Sequence, residues 1–167
     1  MHCLIQQTAK IVQRYLTLKK LYKPLVISLF LALIDNYIKF FVRLNNIQET
    51  VIIENFLTID LTYNTGIAFG LLSDKTNITF FVSLVVLVWL ITQFNNVDNN
   101  SMEFYSLVLI LGGAIGNLGE RAYNIITLND GKVTDFIELL FIPSFNFADS
   151  YITIGICFLI ISELKNK

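Results

Sequence analysis

The chain has 167 residues, 54% hydrophobic and only 15% charged, with a formal net charge of −1. Soluble domains carry about 45–50% apolar and about 25% charged residues, so this balance argues against an ordinary soluble domain, and the near-neutral charge gives no general case for nucleic-acid binding. One histidine, His2, and two distant cysteines, Cys3 and Cys157, offer no basis for a disulfide framework, a His/Cys zinc site, or a Ser–His or Cys–His hydrolase. What remains is a membrane protein. Its apolar residues come in blocks, and four of them, at about 24–42, 78–94, 105–126 and 148–164, approach the ~20 residues that a helix needs to cross a bilayer.

In chain order, residues 1–23 form a basic tail in which Lys10, Arg14, Lys19, Lys20 and Lys23 are interleaved with Ile11, Val12, Tyr15 and Leu16. The mixture fits either a basic helix lying on anionic lipid or a solvated tail. The first apolar run is not a cleavable signal peptide, since it is long, carries Asp35 and Lys39, and is followed by no small-x-small site. Residues 51–63, V-I-I-E-N-F-L-T-I-D-L-T-Y, are rich in β-branched and aromatic types and partly alternate from Asn55, which predicts a small outer β-element between the first two spans. Lys165 and Lys167 follow the last span, whereas the segments after spans one and three hold few bases, Arg43, Lys75 and Lys132. The bias of Lys and Arg toward the cytoplasm then predicts that both termini lie inside and that residues 43–77 and 127–147 lie outside.

Ionisable residues inside or beside spans are costly and mark function by default. Asp35 and Lys39 stand four apart on one helical face, where a plain structural ion pair is the competing reading. Asn117, Glu120, Arg121 and Asn124 follow at i, i+3, i+4 and i+7 on the third span, a polar stripe that must face the bundle interior or water. Gly112, Gly113 and Gly116 lie one turn earlier and read as close helix packing. Asp135 and Asp149 fall at the outer interface, the depth of Arg121, Asn124, Asp35 and Lys39. Asp149 has the competing reading of a helix cap. Two carboxylates held close share one proton, so that the ionised member activates water while the neutral member donates to a carbonyl. That is peptide hydrolysis without His, Cys, Ser or metal.

Five motifs, in order, sharpen this chemistry. D-N-Y-I-K at 35–39, N-T-G-I-A-F-G at 64–70, G-G-A-I-G-N-L-G-E-R at 112–121, G-K-V-T-D-F at 131–136 and F-N-F-A-D at 145–149 together resemble the lipoprotein signal peptidases (signal peptidase II), bacterial intramembrane aspartic peptidases. The resemblance covers the chain from about Asp35 to Gly155. It implies Asp135 and Asp149 as the catalytic pair, with Asn64, Gly66, Ala68, Phe69, Asn117, Arg121, Asn146, Asp35, Lys39 and Glu120 binding substrate or supporting the site. One position departs from the pattern: Glu120 stands where the family usually has Asp. It is expected to act as a structural counter-ion, with Lys39 and Arg121 the nearest cations by depth.

The resemblance implies an all-α membrane protein of four transmembrane helices with a small β-element in the first extracytoplasmic loop, forming one membrane-embedded peptidase domain over residues 1–167. The implied substrate is a prolipoprotein carrying diacylglyceryl on its lipobox cysteine, cut just before that cysteine. No cofactor, metal or nucleic acid is implied, and the expected surroundings are membrane lipid in the bacterial inner membrane, with the protein acting as a monomer. The alternative from another class is a small proton- or ion-coupled transporter. Such a protein places its charges near the midplane, often in repeated halves, whereas here they gather toward one face and no repeat is visible.

Overall fold

The computed structural model describes residues 2–66 and 75–165. These comprise four helices, α1 (His2–Leu44), α2 (Thr76–Gln93), α3 (Met102–Ile126) and α4 (Phe147–Lys165), and four strands, β1 (Thr50–Ile53), β2 (Leu57–Asn64), β3 (Val133–Leu139) and β4 (Ile142–Phe145). Residues Lys19–Leu44 of α1 and the whole of α2, α3 and α4 are long and apolar enough to cross a membrane. All four segments expected from hydropathy are therefore helical, with ends within five residues of those expected. The basic tail is helical and continuous with the first span. Pro24 sits inside α1, buried, where its missing N–H removes one bond from the ladder.

Helix α3 is the centre of the bundle and packs against α1, α2 and α4. Half of its most apolar window is buried, against 11% for α2. On α2, Phe81, Val85, Val88 and Trp89 all face outward, an exterior suited to lipid because a helix satisfies its own backbone there. The glycines of α3 act as the sequence suggests. A Cβ on Gly113 would lie 2.3 Å from the carbonyl oxygen of Ala148, and one on Gly116 2.9 Å from the carboxylate of Asp35. Only a bare Cα lets α4 and α1 come that close.

At one end of the bundle the core is dry. Leu90, Phe94, Phe104, Leu107, Val108, Ile110 and Leu111 form it, with the Phe94 and Phe104 rings edge to face at 5.8 Å. Ser101 caps α3 there by accepting from Phe104 N at 3.1 Å. Lys20 donates to the Asn95 carbonyl at 3.0 Å, and Lys23 to the Asn100 side chain. The connection between α2 and α3 is thereby tied to the basic start of the first span.

The sheet lies toward the opposite end. It is antiparallel in the order β1-β2-β3-β4. The β-element expected between the first two spans takes the form of a hairpin, β1 and β2, and it is only half of the sheet. The segment between α3 and α4 supplies a second hairpin, β3 and β4, that its sequence pattern does not signal. An isolated hairpin is marginal in stability, and joining two along β2–β3 makes a four-stranded unit. Between the pairs Ile59↔Ile137 and Thr62↔Asp135, two residues of β2 oppose one of β3. This bulge sends the Leu61 N–H outward to the Ile47 carbonyl at 3.1 Å and changes the aim of the strands immediately beside Asp135.

Candidate active site

Asp135 lies second after Val133 at the buried start of β3, and the neighbouring strand and the start of α4 surround it. Its carboxylate accepts from Asn64 Nδ2 at 3.1 Å and from Asn146 Nδ2 at 2.6 Å. Its carbonyl accepts from the Thr62 hydroxyl at 3.2 Å. Burial, and after it the negative charge of Asp149, push the Asp135 carboxyl up to about 7, against the pull of the Asn64 and Asn146 amides and of Lys39. A carboxyl there is poised to exchange a proton at neutral pH.

Asp149 is fixed by the start of its own helix. Asn146 precedes α4, and its Oδ1 accepts from Asp149 N at 3.0 Å while Asp149 Oδ2 accepts from Asn146 N at 3.2 Å. This reciprocal pair is a capping box. The capping reading of Asp149 is thus realised, but its second oxygen turns to α3 and accepts from Asn117 Nδ2 at 2.8 Å. Asn146 is fully buried and touches both aspartates. One asparagine therefore sets the relation of the two carboxyls.

Beneath this pair lies a second layer. Lys39, with no exposed surface, directs its ammonium at Asp35 Oδ2 (2.7 Å), Asn117 Oδ1 (2.7 Å) and Glu120 Oε2 (3.2 Å). The contact with Asn117 is a hydrogen bond, and those with the two carboxylates are ion pairs. The other oxygen of Asp35 accepts from Ala148 N at 2.9 Å, satisfying a free amide in the first turn of α4. The ion pair of the first span thus connects α1, α3 and α4 directly under the aspartates.

The expected partnership of Glu120 needs correction. It pairs with Lys39 as expected, but its other cation is Arg43, and it also accepts from Thr134 Oγ1 at 2.6 Å and Thr134 N at 3.1 Å. Consecutive residues of a helix diverge by about 100°, so Glu120 faces α1 and β3 while Arg121 faces elsewhere. Arg121 donates to the carbonyls of Thr65 (3.1 Å), Gly66 (2.5 Å) and Gly131 (3.0 Å). Asn124 continues the same task by donating to the Lys132 carbonyl at 2.6 Å. Together they hold the ends of both sheet-forming segments on α3. Asn64 Oδ1 accepts from Gly66 N at 2.8 Å, closing a local turn. Gly131 turns with φ of 59°, a region that favours glycine.

Asp135, Asp149, Asn64, Gly66, Asn117, Arg121, Asn146, Asp35, Lys39 and Glu120 are therefore gathered around one layer. Ala68 and Phe69 lie outside the described residues. Thr62, Thr134 and Arg43 join the layer without having been singled out. For Arg43 a signal existed, since Asp35, Lys39 and Arg43 recur every four residues on one face of a helix. For the threonines there was none.

Known proteins agree with this architecture. A family model described as signal peptidase (SPase) II matches residues 27–165. A lipoprotein signal peptidase of Caldanaerobacter subterraneus subsp. tengcongensis is 37% identical over 134 residues, covering 78% of this chain and 88% of the relative. One of Pseudomonas fluorescens is 37% identical over 156 residues, covering 84% and 86%. A solved structure described as a bacterial membrane enzyme superposes with a TM-score of 0.75 at 29% identity, over 86% of this chain and 88% of its own.

Proposed function

The chain belongs to the signal peptidase II family, a family of membrane proteases that process lipoproteins, and from that membership we propose that it is an aspartic endopeptidase using Asp135 and Asp149 to cut diacylglyceryl-modified prolipoproteins just before the lipidated cysteine. The observation that carries the aspartic reading is the single buried Asn146 bonded to both carboxyls, with Asp135 pushed up to about 7. No feature of the described residues favours the transporter alternative.

The chemistry follows from a pair that shares one proton. The ionised carboxylate takes a proton from water as the water oxygen attacks the scissile carbonyl carbon. The neutral carboxyl donates its proton to the carbonyl oxygen, giving a neutral tetrahedral intermediate. Collapse passes a proton to the departing nitrogen, breaks the C–N bond and leaves a carboxyl on the signal peptide and an amine on the cysteine. Asn64, Asn117 and Asn146 hold the two carboxyls, and Arg121 holds the Thr65–Gly66 turn beside them. The acyl chains of the substrate stay among the spans while its peptide bond reaches the aspartates.

The surrounding assignments are part of the same proposal. The protein is one membrane-embedded domain in the bacterial inner membrane, acting as a monomer, with both termini cytoplasmic and the sheet and aspartate layer at the outer face. The test is cleavage of a diacylglyceryl-modified prolipoprotein by the purified protein in detergent or vesicles. Release of the signal peptide, with the lipidated cysteine as the new N-terminus, is the expected product. Equal cleavage of an unlipidated precursor, or survival of activity in Asp135→Asn or Asp149→Asn, overturns the proposal.

A further inference from the structure

We propose that Arg43 is a positioning residue for Asp135, acting through Glu120 and Thr134; the proposal rests on Asp135 and Asp149 being the cleaving pair. Arg43 stands in the last turn of α1, where a cation is ordinarily explained by attraction to the carbonyl end of the helix, its side chain in water. The geometry here is different. The Arg43 side chain is 30% exposed, and its Nη1 points inward to the carboxylate of Glu120, itself 2% exposed. The same nitrogen donates to Thr134 Oγ1 at 2.7 Å.

Charge balance gives Arg43 a reason to be there. Asp35 and Glu120 are both buried and both contact Lys39. One ammonium cannot neutralise two carboxylates, and a buried charge left uncompensated is costly. Arg43 supplies the second cation. It does so from the helix that already carries Asp35 and Lys39, so the three side chains form one stripe along α1.

The consequence reaches the aspartate through Thr134. Its hydroxyl and amide bond Glu120, its Oγ1 also accepts from Arg43, and its carbonyl accepts from Asn146 at 3.2 Å. Thr134 is fully buried, and it is the residue directly before Asp135. Successive strand residues face opposite sides. Thr134 therefore anchors β3 to α1 and α3 while Asp135 projects toward Asn64 and Asn146. Releasing the anchor displaces Asp135 relative to Asp149, and a displacement of about 1 Å in a reacting group costs up to about 100-fold in rate.

The experiment measures kcat and KM on a lipid-modified prolipoprotein for the parent and for Arg43→Met, Arg43→Lys, Thr134→Val and Arg43→Met/Thr134→Val, in one detergent, with Asp135→Asn alongside. Arg43→Met should lower kcat about tenfold with KM within about twofold, because substrate binding is untouched while the transition state is not. Arg43→Lys should recover most of the loss, since it keeps the charge. Thr134→Val should lower kcat a few-fold, and the double variant should be no worse than Arg43→Met alone, because both release the same Arg43–Glu120–Thr134 cluster. A folded Arg43→Met with the parent's kcat overturns the proposal, as do losses that multiply in the double variant. If Arg43→Met does not insert, Thr134→Val decides: a lowered kcat at constant KM supports the anchor, and an unchanged kcat refutes it. Asp135→Asn keeps the two levels apart. Cleavage by Asp135→Asn would sink the aspartic reading itself, whereas a dead Asp135→Asn beside a fully active Arg43→Met would sink the positioning role only.

Discussion

The two ends of the helix bundle use the same helices and different physics. At the dry end α3 offers Phe104, Leu107, Val108 and Leu111 to Leu90 and Phe94 of the α2 segment, and cohesion is a sum of many small contacts. At the other end α3 offers Asn117, Glu120 and Arg121 to α1, β3 and the turn after β2, and cohesion depends on each donor finding its acceptor. A contact sum degrades gradually. A buried polar network does not, because each group left unpaired carries its own desolvation cost. The bundle thus has one end whose cohesion is spread over many contacts and one whose cohesion rests on individual pairings.

The largest expected effect tests the polar end where the reaction is assigned. Asp135→Asn and Asp149→Asn should each lower turnover by about 10²–10⁴-fold, the range for losing a general acid or base. Single-turnover cleavage measures it, and the thermal transition of the same preparations should show a folded protein. Next, Lys39→Met should destabilise by about 3–5 kcal/mol, because Asp35 and Glu120 would stay buried without the ammonium they share. Here stability and turnover should fall together.

Leu111→Ala is the counterpart at the dry end. Leu111 is fully buried, and its truncation should cost about 2–5 kcal/mol. Thermal unfolding should record that loss while kcat per folded molecule stays at the parental value. If Leu111→Ala lowers kcat as Lys39→Met does, the two ends are not separable and the comparison fails.

The gentlest probe is pH. With Asp135 pushed up to about 7, cleavage should decline above that value as the pair loses its shared proton, by about tenfold per pH unit on the alkaline limb. Stability should follow the same group with a definite sign. The folded chain holds the Asp135 proton up to about 7, whereas the unfolded chain releases it near the ordinary value of about 3.9. The contribution is therefore fully present below the unfolded value and is lost as pH rises toward the folded one. In Asp135→Asn that part of the pH dependence of unfolding should vanish; its persistence would assign it to another group.

The sequence alone determined four segments long and apolar enough to cross a bilayer as helices, because spanning length and apolar composition are local properties. It also determined which polar residues belong together, since a charged or amide side chain inside an apolar run must find a partner away from lipid, and the ordered motifs carried Asp135, Asp149, Asn117 and Asn146 in advance. Who bonds whom was decided only in three dimensions. Glu120 faces Arg43 and Thr134 rather than Arg121 because one residue of helix turns the side chain by about 100°. The second hairpin, β3 and β4, is short and gains partners only when β3 meets β2 from a segment about 70 residues away. Arg43 read as a loop charge by the span boundary, and only the continued turn of α1 carried it inward to a buried carboxylate. Composition and spacing fix which groups must leave lipid or water; the pairing that satisfies them is a property of tertiary packing, because each acceptor is supplied by a different part of the chain.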